Sequence, residues 1–154
     1  MAARHYRDHP DYAGEVDHAE LITRLMEFDA WALHTSSTAL KSVLWLCPDD
    51  VRIGAWTKPF ASFKPNVNPA YTWEPVIFRG SRRRSREDAT VRDYVAVPIT
   101  LRRGLVGAKP EGVCFWIFDF LGLRPGDELI DLFPGTGGVM RAWEKWQRQL
   151  WSAA

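Results

Sequence analysis

Near the C-terminus an apolar run over residues 128–133 leads into Pro134-Gly135-Thr136-Gly137-Gly138, followed by an amphipathic stretch over residues 139–151. The order reads as a buried, parallel-type strand, a tight glycine-rich bend and a helix, which few folds accommodate. Glycines let the backbone pass close to a ligand, and a helix start offers free N–H groups. The spacing excludes two common forms of this device. A phosphate-cradling P-loop needs a Lys-Ser/Thr pair directly after the glycines, where Val139-Met140 stand. A dinucleotide fingerprint reads G-x-G-x-x-G, and this chain has G-x-G-G. Asp131, in the strand end, supplies a carboxylate able to accept from a ligand amine. The same pattern also fits a plain tight turn with a buried Asp cap.

The rest of the chain alternates between helix and strand patterns. Residues 17–28 predict a helix capped by Asp17, with Leu21, Ile22, Leu25 and Met26 as its apolar stripe. Residues 30–34 read as a buried strand. Ser36 or Ser37 caps a second helix carrying Leu40, Val43, Leu44 and Cys47 on one face, and Pro48 stops it. Residues 51–57 read as a strand and 58–70, with Pro59, Pro65 and Pro69, as irregular. Strand character returns over 71–78, where Pro75 argues for an edge or a bend. Residues 94–99 form a short alternating strand. Residues 111–121 are apolar nearly all round and predict a helix buried on most sides. This alternation implies an α/β fold with a mainly parallel sheet.

The totals narrow the function classes. The 154 residues suit one domain, and 46% hydrophobic residues suffice for a core. A formal net charge of +1 supplies no whole-molecule field to hold nucleic acid, so any basic surface is local. It falls in residues 79–92, where six arginines (Arg79, Arg82, Arg83, Arg84, Arg86, Arg92) face only Glu87 and Asp88. Arg82, Arg83, Arg84 and Arg86 can follow a phosphate backbone, or form a flexible, solvated basic loop. Phe60, Phe63, Tyr71 and Trp73 can present faces to a nucleobase, although such residues are more often core. Cys47 and Cys114 lie in apolar runs without metal or redox spacing and read as buried thiols in a reducing cytosol. His18 and His34 read as helix and core histidines, and no metal site is evident. No signal-peptide pattern or membrane span is present, so the expected location is cytoplasmic.

Lys109-Pro110, a buried helix, Pro125-Gly126-Asp127, then a strand ending Asp131-Leu132-Phe133-Pro134-Gly135-Thr136-Gly137 resembles the cofactor end of permuted, class-beta-like amino-methyltransferases of DNA, of the phage and actinobacterial type. Upstream, two helix–strand units and the stretches Trp56-Thr57-Lys58-Pro59 and Trp73-Glu74-Pro75-Val76-Ile77-Phe78 resemble the second half of that fold and its strand pair. The resemblance covers nearly the whole chain. It implies a single Rossmann-like methyltransferase domain over 1–154, with a mainly parallel sheet and an antiparallel strand pair. It implies S-adenosylmethionine as cofactor, held by Asp131, Phe133, Pro134, Gly135, Thr136 and Gly137, with Lys109 and Pro110 near its methionine end. It implies DNA as partner and the exocyclic amine of adenine, or of cytosine, as target.

The chain departs from the family at both ends. No Asp/Asn/Ser-Pro-Pro-Tyr/Trp/Phe motif is present, so no catalytic residue can be named. The resemblance places that motif before residues 4–17, after a central strand lying between 128–133 and 30–34. The sheet is therefore expected to be incomplete there, and the start of the protein to lie upstream. The strand that would follow the last helix and hold the cofactor ribose is also missing. Two further readings stand beside the DNA enzyme: an inactive methyltransferase-like remnant that binds DNA or cofactor, and a methyltransferase for RNA or a small molecule.

Overall fold

The computed structural model describes residues 16–60, 65–99 and 109–153. It is an α/β fold built on a four-stranded mixed sheet. In chain order the elements are α1 (His18–Leu25), β1 (Trp31–His34), α2 (Leu40–Leu44), β2 (Arg52–Thr57), β3 (Trp73–Arg79), β4 (Tyr94–Ala96), α3 (Glu111–Leu121) and α4 (Gly138–Ala153). The strand order is β1-β3-β2-β4. β3 runs antiparallel to both β1 and β2, and β4 runs parallel to β2. Thus β1, β2 and β4 share one direction, with β3 reversed among them.

Register sorts the side chains into two faces, because residues directly opposite in a ladder point the same way. Trp56 pairs with Glu74, Gly54 with Val76 and His34 with Val76, which sets all of these on one face with Phe78. α3 covers that face. Phe120 stacks on Phe78 with ring centroids 3.9 Å apart, and Trp116 meets Phe78 edge-on at 5.3 Å. On the opposite face Trp31 and Ile77 pack with Leu21, Ile22 and Leu25 of α1 and Val43 of α2. α4 lies behind α3, where Trp143 and Trp146 close around Phe118.

Local chemistry explains most boundaries. Asp17 Oδ1 accepts from the N–H groups of Ala19 (2.8 Å) and Glu20 (3.2 Å), satisfying two of the orphan donors that open α1. Ser36 Oγ accepts from Ala39 N ahead of α2. α3 ends at Gly122, whose φ of 70° allows the Leu123 N–H to reach back to the Phe118 carbonyl at 3.0 Å.

Two expectations are corrected. The sheet is not mainly parallel: two of its three ladders are antiparallel. Residues 128–133 join no ladder, so the expected core strand is not one of the four. A run of apolar residues gives strand character but no partner, and a strand exists only through its neighbour's hydrogen bonds. Ile130 and Phe133 of this run are 52% and 55% exposed. Pro75 also differs from expectation, since it sits in a strand flanked on both sides. Ala55 N donates away from β3, to Asp93 O, so the Ala55–Pro75 pair exchanges no bond. The missing proline donor then faces the β1 side, where the ladder ends at His34–Val76 and Thr35 N already takes the Pro75 carbonyl.

The approach of α3 requires a glycine. A Cβ on Gly54 would stand 2.9 Å from Phe78 Cε2 and from Trp116 Cη2 and Cζ2, closer than carbon atoms tolerate. Gly54→Val is expected to lower unfolding free energy by about 2–3 kcal/mol, in the range of core overpacking, as read by denaturant titration. An unchanged midpoint would show that α3 does not sit this close.

Candidate functional site

In open α/β sheets, ligands bind outside the carboxyl ends of the parallel strands. Here those ends are His34 of β1, Thr57 of β2 and Ala96 of β4. Lys58 follows β2, Glu74 stands opposite Trp56 at the start of β3, and Lys109 precedes α3. These side chains converge. Lys58 donates to Glu74 Oε1, and Lys109 Nζ lies 3.2 Å from Glu74 Oε2. Both ammoniums lie over the Trp56 ring, 4.9 and 5.5 Å from its centroid. His34 meets that ring edge-on at 6.3 Å, and Trp56 Nε1 donates to Val97 O at 2.7 Å.

Two ammoniums against one carboxylate leave this corner one positive charge in excess, which favours an anionic group on a ligand. Burial pushes the Glu74 carboxyl up, but Lys109 and the hydrogen bond from Lys58 outweigh it and hold the group below the ordinary carboxylate range. His34 is lowered to about 3, first by burial and then by the Lys109 charge, with Glu74 opposing and Lys58 adding. The imidazole is therefore neutral at pH 7, and both its nitrogens are shielded without a hydrogen-bond partner among the described residues.

The glycine-rich bend is open. Gly135 and Gly137 take φ values of 44° and 70°, the left-handed region that side chains avoid. A Cβ at Gly135 would meet nothing closer than the Phe133 carbonyl at 3.9 Å. Gly137 N donates to Pro134 O, and Arg141 folds back from α4 so that Nη1 donates to Thr136 O at 2.6 Å. Asp131 Oδ1 accepts from Phe133 N, while its Oδ2 is buried without a partner among the described residues. Lys109 and Asp131 both act on Cys114 of α3. Burial raises that thiol to about 11, with Lys109 lowering and Asp131 raising it. The bend and the Lys109 corner therefore flank one stretch of α3. Pro110, buried, forms the N-cap position of that helix.

The structure separates the four candidate phosphate-binding arginines. Arg82 forms a bidentate pair with Asp127, at 2.9 and 3.0 Å, and also donates to Gly122 O. Arg84 donates to Asp119 O at the end of α3. Arg83 and Arg86 are exposed and make no ion pair among the described residues. Phe60, Tyr71 and Trp73 are 56%, 55% and 36% exposed, so their faces are free at the β2–β3 connection, and Phe63 lies outside the described residues. Sequence reasoning passed over Glu74, Arg141 and the site role of His34. Only the ladder register brings Glu74 to Trp56, although two-residue alternation from Trp56 to Lys58 signalled a common face. Among the described residues no group of three or more His, Cys, Asp or Glu side chains could hold a metal ion, and no helix is long and apolar enough to cross a membrane.

The fold and this corner define an α/β protein with a ligand-sized set of polar groups at the carboxyl end of its sheet. No family model, curated protein or solved structure matches the chain.

His34 gives a pH signature. Its folded pKa lies below the ordinary histidine value of 6.5, so the unfolded chain binds the extra proton. Stability is full above about pH 6.5 and falls as pH drops toward 3, by at most about 1.4 kcal/mol per pH unit. Between pH 6.5 and 5, where carboxylates contribute little, His34→Gln is expected to flatten the slope measured by urea unfolding. An unchanged slope would show that the imidazole is accessible to protons. For the arginines, Arg82→Ala is expected to lower the melting temperature. The double substitution of Arg83 and Arg86 by Ala should leave it unchanged. Equal falls in melting temperature from both variants would remove the division between the paired and the exposed arginines.

Proposed function

We propose that this chain is an S-adenosylmethionine-binding protein of the DNA amino-methyltransferase type, directed to the exocyclic amine of adenine or cytosine and working in the cytoplasm. The observation that carries the reading is the open bend 134–138 at the head of α4, with Gly135 and Gly137 at positive φ and the unpartnered Asp131 oxygen beside it. A nucleoside with an amino acid tail needs a backbone it can approach, an acceptor for its ammonium and a cation for its carboxylate. The residues present fit that list. Gly135, Thr136 and Gly137 would face the nucleoside, Asp131 would accept from the ammonium, and Lys109 or Arg141 would meet the carboxylate. The bound group supplies a methyl on a sulfonium, which needs no metal.

Other features support the same reading. Helix–strand units with a reversed strand set between two parallel ones agree with the second half of a Rossmann-like methyltransferase sheet. Arg83 and Arg86 are free to meet phosphates, and Phe60 and Tyr71 offer faces on which an extruded base can stack.

A second reading has its own observation. The chain holds no Asp-Pro-Pro-Tyr type motif, and 128–133 stands outside the sheet. Both favour a protein that binds cofactor or DNA and transfers nothing. Calorimetry with S-adenosylmethionine is expected to show saturable binding at one site, weakened at least tenfold, about 1.4 kcal/mol, by Gly135→Arg with Gly137→Arg. Equal heats from both proteins would remove the cofactor assignment. Methyl transfer from labelled cofactor to duplex DNA, RNA and free nucleosides then separates enzyme from remnant and DNA from the other substrates.

A further inference from the structure

The face of the sheet opposite α3 is covered unequally. On β3, Pro75 and Ile77 are fully buried, Ile77 under α1 and α2. One strand further out the cover fails. Ile53 of β2, opposite Ile77, is 43% exposed, and Ala55 and Thr57 are half-buried. From 94 to 99 burial alternates. Val95, Val97 and Ile99 pack into the α3-side core, while Tyr94, Ala96 and Pro98 are exposed. That alternation marks a strand with one solvated face.

Two aromatic rings stand on the uncovered part. Trp73 opens β3 opposite Thr57, and Tyr94 opens β4 opposite Ala55, with β2 between them. They are 36% and 44% exposed. Two strand spacings and a two-residue stagger put them roughly 12 Å apart. The floor between them is Ala55, Thr57 and Ala96, all small. The rings are too far apart to stack on each other, so each can take a separate planar partner. Arg92 supplies the charge. Its Nη1 donates to Tyr94 Oη at 3.0 Å, which holds the guanidinium at the hydroxyl end of that ring. It makes no ion pair among the described residues, and the strand residues of this face include no carboxylate.

We propose that this face of β3, β2 and β4 binds single-stranded DNA, with Trp73 and Tyr94 each stacking on a base and Arg92 meeting a phosphate. Separate aromatic faces on a small-residue floor, beside an unpaired cation, match planar bases carried on an anionic backbone. An apolar peptide offers neither, and a duplex hides its base faces. The Thr57 hydroxyl donates to Val95 O at 3.2 Å, so the floor keeps no free donor to read a 2′-hydroxyl, which selects DNA over RNA. Trp56 and Lys109 lie across the sheet from this face, and the inference stands apart from the cofactor reading.

The probe is a fluorescein-labelled oligothymidylate of about twelve nucleotides, within the span such platforms cover. It is titrated with the 154-residue protein in the absence of S-adenosylmethionine. Saturable binding is expected, weakened at least tenfold by Trp73→Ala with Tyr94→Ala. Trp73→Phe with Tyr94→Phe keeps the rings and should keep the binding. Arg92→Ala should flatten its salt dependence. The same oligomer carrying iodouracil should crosslink under irradiation to Trp73 or Tyr94 of the unsubstituted protein, which keeps the test valid if the alanine variant does not fold. The proposal is overturned if an abasic oligomer of equal length binds as tightly, since phosphates alone would then hold it. It is equally overturned if the alanine pair binds normally, if crosslinks fall only elsewhere, or if duplex DNA or oligouridylate binds as tightly as the probe. A second copy covering this face would block both crosslinks and count against it too. Loss of cofactor binding alone leaves these results intact.

Discussion

The contact between α3 and the sheet at Gly54 sets the positions of most other parts. With only hydrogen at that Cα, the Trp116 and Phe78 rings settle directly on the β2 backbone. Phe120 stacks on Phe78, and Trp116 Nε1 is satisfied by Arg92 O, so the aromatic layer closes without an unpaired donor. Once α3 is seated, its two ends are fixed in space. The first end brings Lys109 to Glu74 and Trp56. The last brings Gly122 and Asp119 to Arg82 and Arg84. The outer side of α3 offers Phe118 to Trp143 and Trp146, which seats α4 and with it the glycine-rich bend. Trp146 Nε1 donates to Asp119 Oδ1, a polar contact that joins the helices beside their aromatic one.

Electrostatics at the carboxyl end of the sheet follow from this packing. Trp56 is almost fully buried, yet two ammoniums rest on its ring, because Glu74 reaches both and lowers the cost of placing them there. Burial first, and then the same ammoniums, make a second proton on His34 costly, so the imidazole is held neutral. A neutral imidazole keeps one donor and one acceptor, and a cationic one would keep only donors. The corner thus presents a fixed hydrogen-bonding pattern together with a surplus positive charge across the pH range where His34 would otherwise titrate.

What the sequence disclosed, and what it hid, follows from the range of the forces involved. α3 runs over 111–121, as its apolar run indicates, and α1 begins after Asp17, whose side chain caps it. These signals are local, decided by a few neighbouring residues. The direction of β3 and its insertion between β1 and β2 are not local, and neither is the meeting of Glu74 with Trp56. The basic segment misled in a related way. Arg82 looks like its neighbours in the sequence, but Asp127, 45 residues on, claims its guanidinium. Pro75 argued against a flanked strand, and the ladder accommodates it only because β1 ends at that level. The candidate cofactor residues Asp131 to Gly137 stand out as a motif, and whether they act as one depends on groups far away in the sequence.

The segment 128–133 shows why composition alone does not make a strand. Leu129 and Leu132 pack into opposite helical layers, while Ile130 and Phe133 stay exposed. What is missing is the ladder, and backbone hydrogen bonding in a sheet needs a neighbour at about 4.8 Å. Asp131 divides its carboxylate accordingly. Oδ1 holds the turn through Phe133 N, and Oδ2 is left inside with no donor among the described residues. An unpaired buried oxygen is unfavourable by about 1–3 kcal/mol, a cost a domain of ordinary stability bears only a few times over. Anything that supplies its donor therefore gains affinity from relieving that cost. A ligand ammonium reaching the bend, as proposed above, would gain from that atom.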